Sequence, residues 1–253
     1  MDVTQNRRNG SVGIYRFLRV AWLERTAYLV LAGNRPQGIR KVLSTELGEC
    51  FAPRSSNRRN SLEKTIAILM HIWVTTPRHL VGLQGDGLEL LSACPSQDHL
   101  AFHWGMTMAV YPFWAAVGSQ VGRLLALQGE AAARQIQQRI QERYGERSTV
   151  SRAVQRVLRS FVDWGVLQDT SRKGIYVKGT TQTIDEIQAI AWLTEALLHA
   201  QGTDAASMQT LLGATALFPF QLRPVGADDL AKASETLEVF YHSLDQRLIV
   251  LTT

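Results

Sequence analysis

The 253-residue chain is 45% hydrophobic and 19% charged, enough apolar material for one or two buried cores, which excludes intrinsic disorder and a collagen-like repeat. Its two cysteines, Cys50 and Cys94, have no Cys or His at metal-ligand spacing, which excludes a disulfide framework or a zinc ribbon and fits a reducing, cytoplasmic interior. The net charge of +5 is unevenly placed: residues 1–60 hold 11 Lys/Arg against 4 Asp/Glu, residues 119–180 hold 11 against 5, and residues 181–253 hold 3 against 9. Of the 27 basic residues 22 are Arg, whose planar fork suits phosphate better than the point charge of Lys, so a polyanion is the leading expected partner.

The N-terminus, MDVTQNRRNGSVG, is basic and lacks the apolar stretch of a signal peptide. Apolar residues at helical spacing (Phe17, Val20, Leu23, Ala27, Leu31) predict a helix from Val12 to Leu31, stopped by Gly33-Asn34. Pro36 opens a second helix through Leu47. The polar run from Pro53 to Arg59 predicts a loop, and Asn60 with Glu63 forms a capping-box pattern for a helix from Ser61 to Val74.

Leu100 to Gly122 contains 23 residues without Asp, Glu, Lys or Arg, long enough to span a bilayer. Pro112 near its middle and the polar residues His103, Thr107, Ser119 and Gln120 favour two buried helices instead, with Trp104, Tyr111, Phe113 and Trp114 as core, and no membrane partner.

Residues 130–180 carry the most informative pattern. A helix is predicted from Glu130 to Tyr144, and a second, capped by Ser148 or Thr149, runs to Trp164 before Gly165. Val166-Leu167-Gln168 and Ile175-Tyr176-Val177 then read as two short strands around a polar, basic turn. Helix, helix and hairpin is the order of a winged helix-turn-helix. On the second helix Val150, Val154, Val157, Phe161 and Trp164 share one face, while Arg152, Gln155, Arg156, Arg159 and Asp163 share the opposite one. Such a helix has a face for the core and a face for phosphates or base edges; an ordinary solvated helix face is the alternative.

After Gly179, Thr183 to Glu186 reads as a capping box for a helix to His199, followed by helices Ser207–Leu217 and Asp228–Ser243 and a strand Arg247–Leu251. This acidic end suits a basic protein surface or internal packing. No phosphate-binding loop, dinucleotide fingerprint, nucleophile elbow or zinc-protease motif occurs. His99 and His103 have the i,i+4 spacing of two metal ligands but lack a third, so a core-edge histidine pair is the expectation, with no catalytic residue, metal or cofactor.

The basic residues Arg54, Arg58 and Arg59 before Leu62-Glu63-Lys64, the segment Tyr111-Pro112-Phe113-Trp114, and Ser148 to Arg159 followed by Trp164-Gly165-Val166-Leu167 together resemble the small DNA-binding A component of BREX phage-defence systems. The resemblance implies an all-α protein with a winged-helix portion that binds double-stranded DNA without catalysis, with Arg152, Arg156 and Arg159 on its recognition helix and the basic N-terminal loop as a second contact. The present chain runs further at its acidic C-terminus.

The expected architecture is therefore mainly α: a helical bundle over 1–100, a winged helix-turn-helix over 101–180 and an acidic helical region over 181–253. The expected DNA contacts are Arg147, Thr149, Ser151, Arg152, Gln155, Arg156 and Arg159 on the helix, Arg172, Lys173 and Lys178 on the hairpin, and Arg54, Arg58 and Arg59. Double-stranded DNA is the expected partner, with other defence-system proteins beside it. A transcriptional regulator and an assembly scaffold are the alternatives, and the sequence leaves the oligomeric state open.

Overall fold

The structure, a computed structural model, describes residues 12–51, 58–243 and 246–252. It is mainly helical with a few small sheets. Residues 12–19 are not helical, against the expectation from their spacing. Side chains of a distant helix capture their backbone instead: the Leu18 N–H donates to Ser160 Oγ at 2.8 Å, and the Leu18 carbonyl accepts from Trp164 Nε1 at 3.0 Å. Gly13, at φ +56°, also leaves the helical region. Ile14 and Leu18 still reach the core from this stretch.

Helices α1 (Val20–Leu31), α2 (Pro36–Gly48) and α3 (Arg58–Trp73) follow. The start of α3 corrects the sequence reading. Arg58 and Arg59 are helical rather than in a loop, and Asn60 and Glu63 lie inside the helix, so the expected capping box does not form. Arginine is a good helix former and carries the helix past Asn60. Arg54 lies outside the described residues.

Helix α4 (Val81–Ala93) precedes α5 (His99–Val110) and α6 (Pro112–Gln128). The break between the last two is at Tyr111, with φ −126° and ψ 86°, because the Pro112 ring drives its predecessor out of the α region. Trp104, Phe113 and Trp114 are fully buried. Among the described residues no single helix is long and apolar enough to cross a membrane.

Gly129, at φ +74°, closes α6, and the chain continues through β1 (Glu130–Ala132), α7 (Ala133–Tyr144), α8 (Ser148–Asp163), β2 (Leu167–Asp169) and β3 (Ile175–Lys178). Glu130 to Ala132 were expected to be helical. They instead form the edge of an antiparallel sheet in the order β1-β3-β2, where both Ala131 and Asp169 face Tyr176. The expected Ser148 or Thr149 cap is also corrected: Arg147 occupies the capping position without a side-chain hydrogen bond, and both hydroxyl residues lie within α8. The apolar face of α8 is buried against an aromatic cluster, with Phe161 4.8 Å from both Trp104 and Trp114, and Trp164 4.7 Å from Trp114. Each such ring pair contributes about 0.5–1.5 kcal/mol beyond its buried area.

The C-terminal segment holds β4 (Gln182–Ile184), α9 (Ile187–Gln201), β5 (Ala205–Ser207), α10 (Met208–Leu212), β6 (Phe220–Leu222), α11 (Ala227–Lys232), β7 (Leu237–Ser243) and β8 (Gln246–Leu251). It is less helical than the sequence suggested. Thr183 is in a strand paired in parallel with β6, and Glu186 precedes α9 without capping it. The expected helix over Ser207–Leu217 shrinks to α10, which Ser207 caps by accepting from the Thr210 N–H at 3.2 Å. The expected helix over Asp228–Ser243 stops at Lys232, because the aromatic and β-branched run from Leu237 pairs with β8, Val239 opposite Ile249.

Helix α9 packs on α5 and α4, joining this segment to the N-terminal helices. Its Trp192 fills a slot made by two glycines: a Cβ at Gly105 would lie 2.3 Å from the indole, and one at Gly87 would lie 2.7 Å from it.

Candidate nucleic-acid interface

Helix α8 is held by its apolar face, so its other side is presented outward. Val150, Ala153, Val154, Val157, Leu158 and Phe161 are buried, whereas Arg152, Gln155, Arg156 and Arg159 are exposed. Arg147 and Thr149 at its start are exposed as well. Ser151 is half-buried and accepts a hydrogen bond from Gln141 Nε2 of α7 at 3.0 Å, so it serves the contact between the two helices. Arg147 Nη2 donates to the Tyr144 carbonyl at 3.3 Å across the α7–α8 turn.

Two of the expected cations are held by carboxylates that sequence spacing did not reveal. Arg159 Nη1 donates to both oxygens of Asp169 on β2, at 2.9 and 2.7 Å, and Arg172 at the hairpin tip pairs with Glu130 on β1. The first pair ties the hairpin to α8, and the second ties it to the third strand. Arg152 and Arg156 have no ion-pair partner among the described residues, and Lys173 and Lys178 are exposed. The Arg159–Asp169 pair brings the α8 face and the hairpin together, whereas Lys178 lines a cleft with α6 and the C-terminal segment, beside Leu125 and Phe218.

Arg58 and Arg59 belong to α3, which packs on α1, α2 and α5. The link from that end to α8 is the non-helical N-terminal stretch. Arg16 Nη1 donates to Ser61 Oγ near the start of α3 at 3.4 Å, while Arg19 Nε lies 3.9 Å from Asp163 near the end of α8. Arg16 and Arg19 are three residues apart, at most ~10 Å between their Cα atoms, so one short stretch touches both helices. Between these points Phe17 reaches the outward face of α8, where it lines a surface cleft with Arg156, Arg159, Val162 and Asp163. Sequence reasoning placed Phe17 on a core stripe and gave Arg19 no role.

His99 and His103 turn away from any such surface. Both bind one carboxylate, with His99 Nδ1 2.7 Å and His103 Nε2 2.6 Å from the two oxygens of Glu24 on α1. Trp73 Nε1 donates to His103 Nδ1 at 3.2 Å, which places the His103 proton on Nε2, facing Glu24. Burial pushes the Glu24 carboxyl up, but the hydrogen bonds from His103 and His99 outweigh it and bring it down to about 2. Complete burial pushes His103 below the ordinary imidazole range, against the opposing pull of Glu24. The pair is a clasp between α1 and α5.

Compared with family models, with curated proteins and with solved structures, the chain matches none.

Proposed function

We propose that α6, β1, α7, α8, β2 and β3 form a winged helix-turn-helix and that the protein binds double-stranded DNA through it without catalysing a reaction. The observation that carries the reading is the outward face of α8. Three arginines line it, two of them unpaired among the described residues, on a helix whose opposite side is locked into an aromatic core. The helix, strand, helix, helix, hairpin order and the pairing of β1 with the hairpin support the winged-helix assignment. In this reading α8 lies in a major groove, Arg152 and Arg156 meet phosphates or base edges, and Lys173 at the hairpin tip meets the flanking backbone. The resemblance to the BREX A component supports service in a bacterial phage-defence complex, where Thr149, Gln155 and Lys178 add polar contacts to the same duplex.

The test is duplex binding measured across salt. If about 4 to 6 cations neutralise phosphates, log K falls against log salt with a slope of roughly −4 to −5. Absence of binding to any random or genomic duplex at low salt overturns the reading. A slope near −1 removes α8 as the contact surface.

A further inference from the structure

We infer that the N-terminal stretch around Phe17 and Arg19 is a second DNA-backbone contact, lying along the recognition face of α8 as the β2–β3 hairpin does at Arg159. The inference rests on the proposed DNA-binding role of α8 and adds residues that neither the sequence pattern nor the hairpin geometry assigns.

The stretch is fixed in place rather than laid loosely on the surface. The Leu18 backbone is bonded in both directions, to Ser160 and Trp164, and the Val20 N–H donates to Asp163 Oδ2 at 3.3 Å. These anchors lie on the last turn of α8 and on Trp164 directly after it, so the side chains on either side of Leu18 are set against the end of that helix. Phe17 closes the cleft that Arg156 and Arg159 open on the outward face. Arg19 is half exposed, at 52%, with its guanidinium 6.0 Å from the centre of the Phe17 ring and 5.6 Å from that of Trp22. Trp22 in turn stacks on Phe51 at 6.0 Å.

The chemistry of this strip fits a sugar–phosphate backbone. A guanidinium held over two aromatic rings loses less side-chain freedom on meeting a phosphate than a free arginine does. The Phe17 ring beside it offers an apolar face for a deoxyribose. Among the described residues Asp163 is the only carboxylate lining the cleft, and it is engaged by the Val20 N–H and faced by Arg19. Its charge is therefore partly answered before DNA arrives. Arg16 reaches the start of α3 by donating to Ser61 Oγ at 3.4 Å.

The experiment measures the full-length protein on a labelled duplex across salt, comparing wild type with Arg19→Gln, Arg19→Lys and the double variant Arg152→Ala/Arg156→Ala. Gln keeps an aliphatic stem over the rings, and the long, exposed contact with Asp163 adds little stability, so the melting temperature is expected to stay unchanged. Arg19→Gln should weaken binding equally on all duplex sequences and make the salt slope shallower by about one, and Arg19→Lys should restore the slope. A merely structural role for Arg19 would not change the slope. Wild-type affinity and slope in Arg19→Gln, with binding lost in the double variant, overturns this inference and leaves the α8 reading standing. Absence of duplex binding by the wild type overturns both.

Discussion

Arg159 on α8 and Asp169 on β2 are joined through one guanidinium nitrogen that donates to both carboxylate oxygens, which fixes the hairpin against the helix. The two side chains are 51% and 54% exposed, so the pair contributes at most about 1 kcal/mol to folding. The pair also bears on the proposed binding. The carboxylate occupies a guanidinium on the face proposed for phosphates and itself repels them. Asp169→Asn is expected to leave the melting temperature nearly unchanged and to tighten duplex binding several-fold at low salt, with the gain fading as salt rises. An unchanged or weaker affinity, read by fluorescence anisotropy, would show that Asp169 holds Arg159 in position instead of competing for it.

The Glu24 clasp makes the fold sensitive to acid. The Glu24 carboxyl is lowered from 4.5 to about 2, so the stability it contributes is present above about pH 4.5 and is lost as pH falls towards 2. His103 is also depressed, so its contribution is present above its ordinary value of 6.5 and declines as pH falls through the folded-state value. Both act in one direction, and the melting temperature should fall steadily from pH 7 towards pH 3. Glu24→Ala strands the His103 Nε2–H inside the protein and should cost about 2–4 kcal/mol at neutral pH. Denaturant melts of the variant and wild type at pH 7 check the size. A variant of wild-type stability would remove the clasp from the account.

Gly105 faces a side chain that has nowhere to move. Trp192 is buried, and its Nε1 donates to the Leu83 carbonyl at 2.8 Å, so the ring cannot swing aside when a methyl group appears 2.3 Å from it. Gly105→Ala is expected to destabilise by about 1–3 kcal/mol through overpacking, although alanine is the better helix residue. Gly82→Ala on the exposed side of α4 meets nothing within 4 Å and should be neutral or stabilising. Thermal melts of the two variants would show the contrast, and equal melting temperatures would contradict the close approach of α9 to α5.

These glycines show why part of the fold was illegible. Gly82, Gly85 and Gly87 weaken the helical signal of α4, and the reason for Gly87, a tryptophan more than a hundred positions away, is not in its neighbourhood. The α8 pattern was legible because a single helix carries both of its faces, and its buried residues are those that the 100° spacing selects. Two of the misread segments share one cause. Residues 12–19 and Glu130–Ala132 take their backbone partners from distant parts of the chain, Ser160 and Trp164 for the first and β3 for the second, and local spacing has no access to those partners. Leu237–Ser243 is different: it pairs with β8 directly after it, and the signal for that hairpin was its aromatic and β-branched residues rather than a helical spacing. The interface is like the first two segments, since the acidic partners of Arg159 and Arg172 and the placement of Phe17 and Arg19 depend on tertiary contacts.

The arginines of α8 should be unequal. In the proposed complex Arg152 and Arg156 would meet DNA without giving up an ion pair among the described residues, whereas Arg159 would have to exchange Asp169 for a phosphate. Charged hydrogen bonds contribute roughly 1.5–3 kcal/mol each, and neighbouring losses are not additive. Arg152→Ala/Arg156→Ala should therefore cost several kcal/mol of duplex binding, while Arg159→Ala alone should cost less than that double change, because Arg159 has to release Asp169 before it can meet a phosphate; the Asp169 charge left uncovered adds to the loss. All three positions lie opposite the Val150, Val154 and Phe161 stripe, and alanine suits a helix, so the melting temperature should hold in every variant. Val154→Asp is the contrasting case: it places an unpaired carboxylate in the core and should abolish binding through unfolding, seen as a large drop in melting temperature. A folded Arg152→Ala/Arg156→Ala protein that binds duplex as tightly as wild type would remove α8 from the interface and shift the search to Arg54, Arg58 and Arg59.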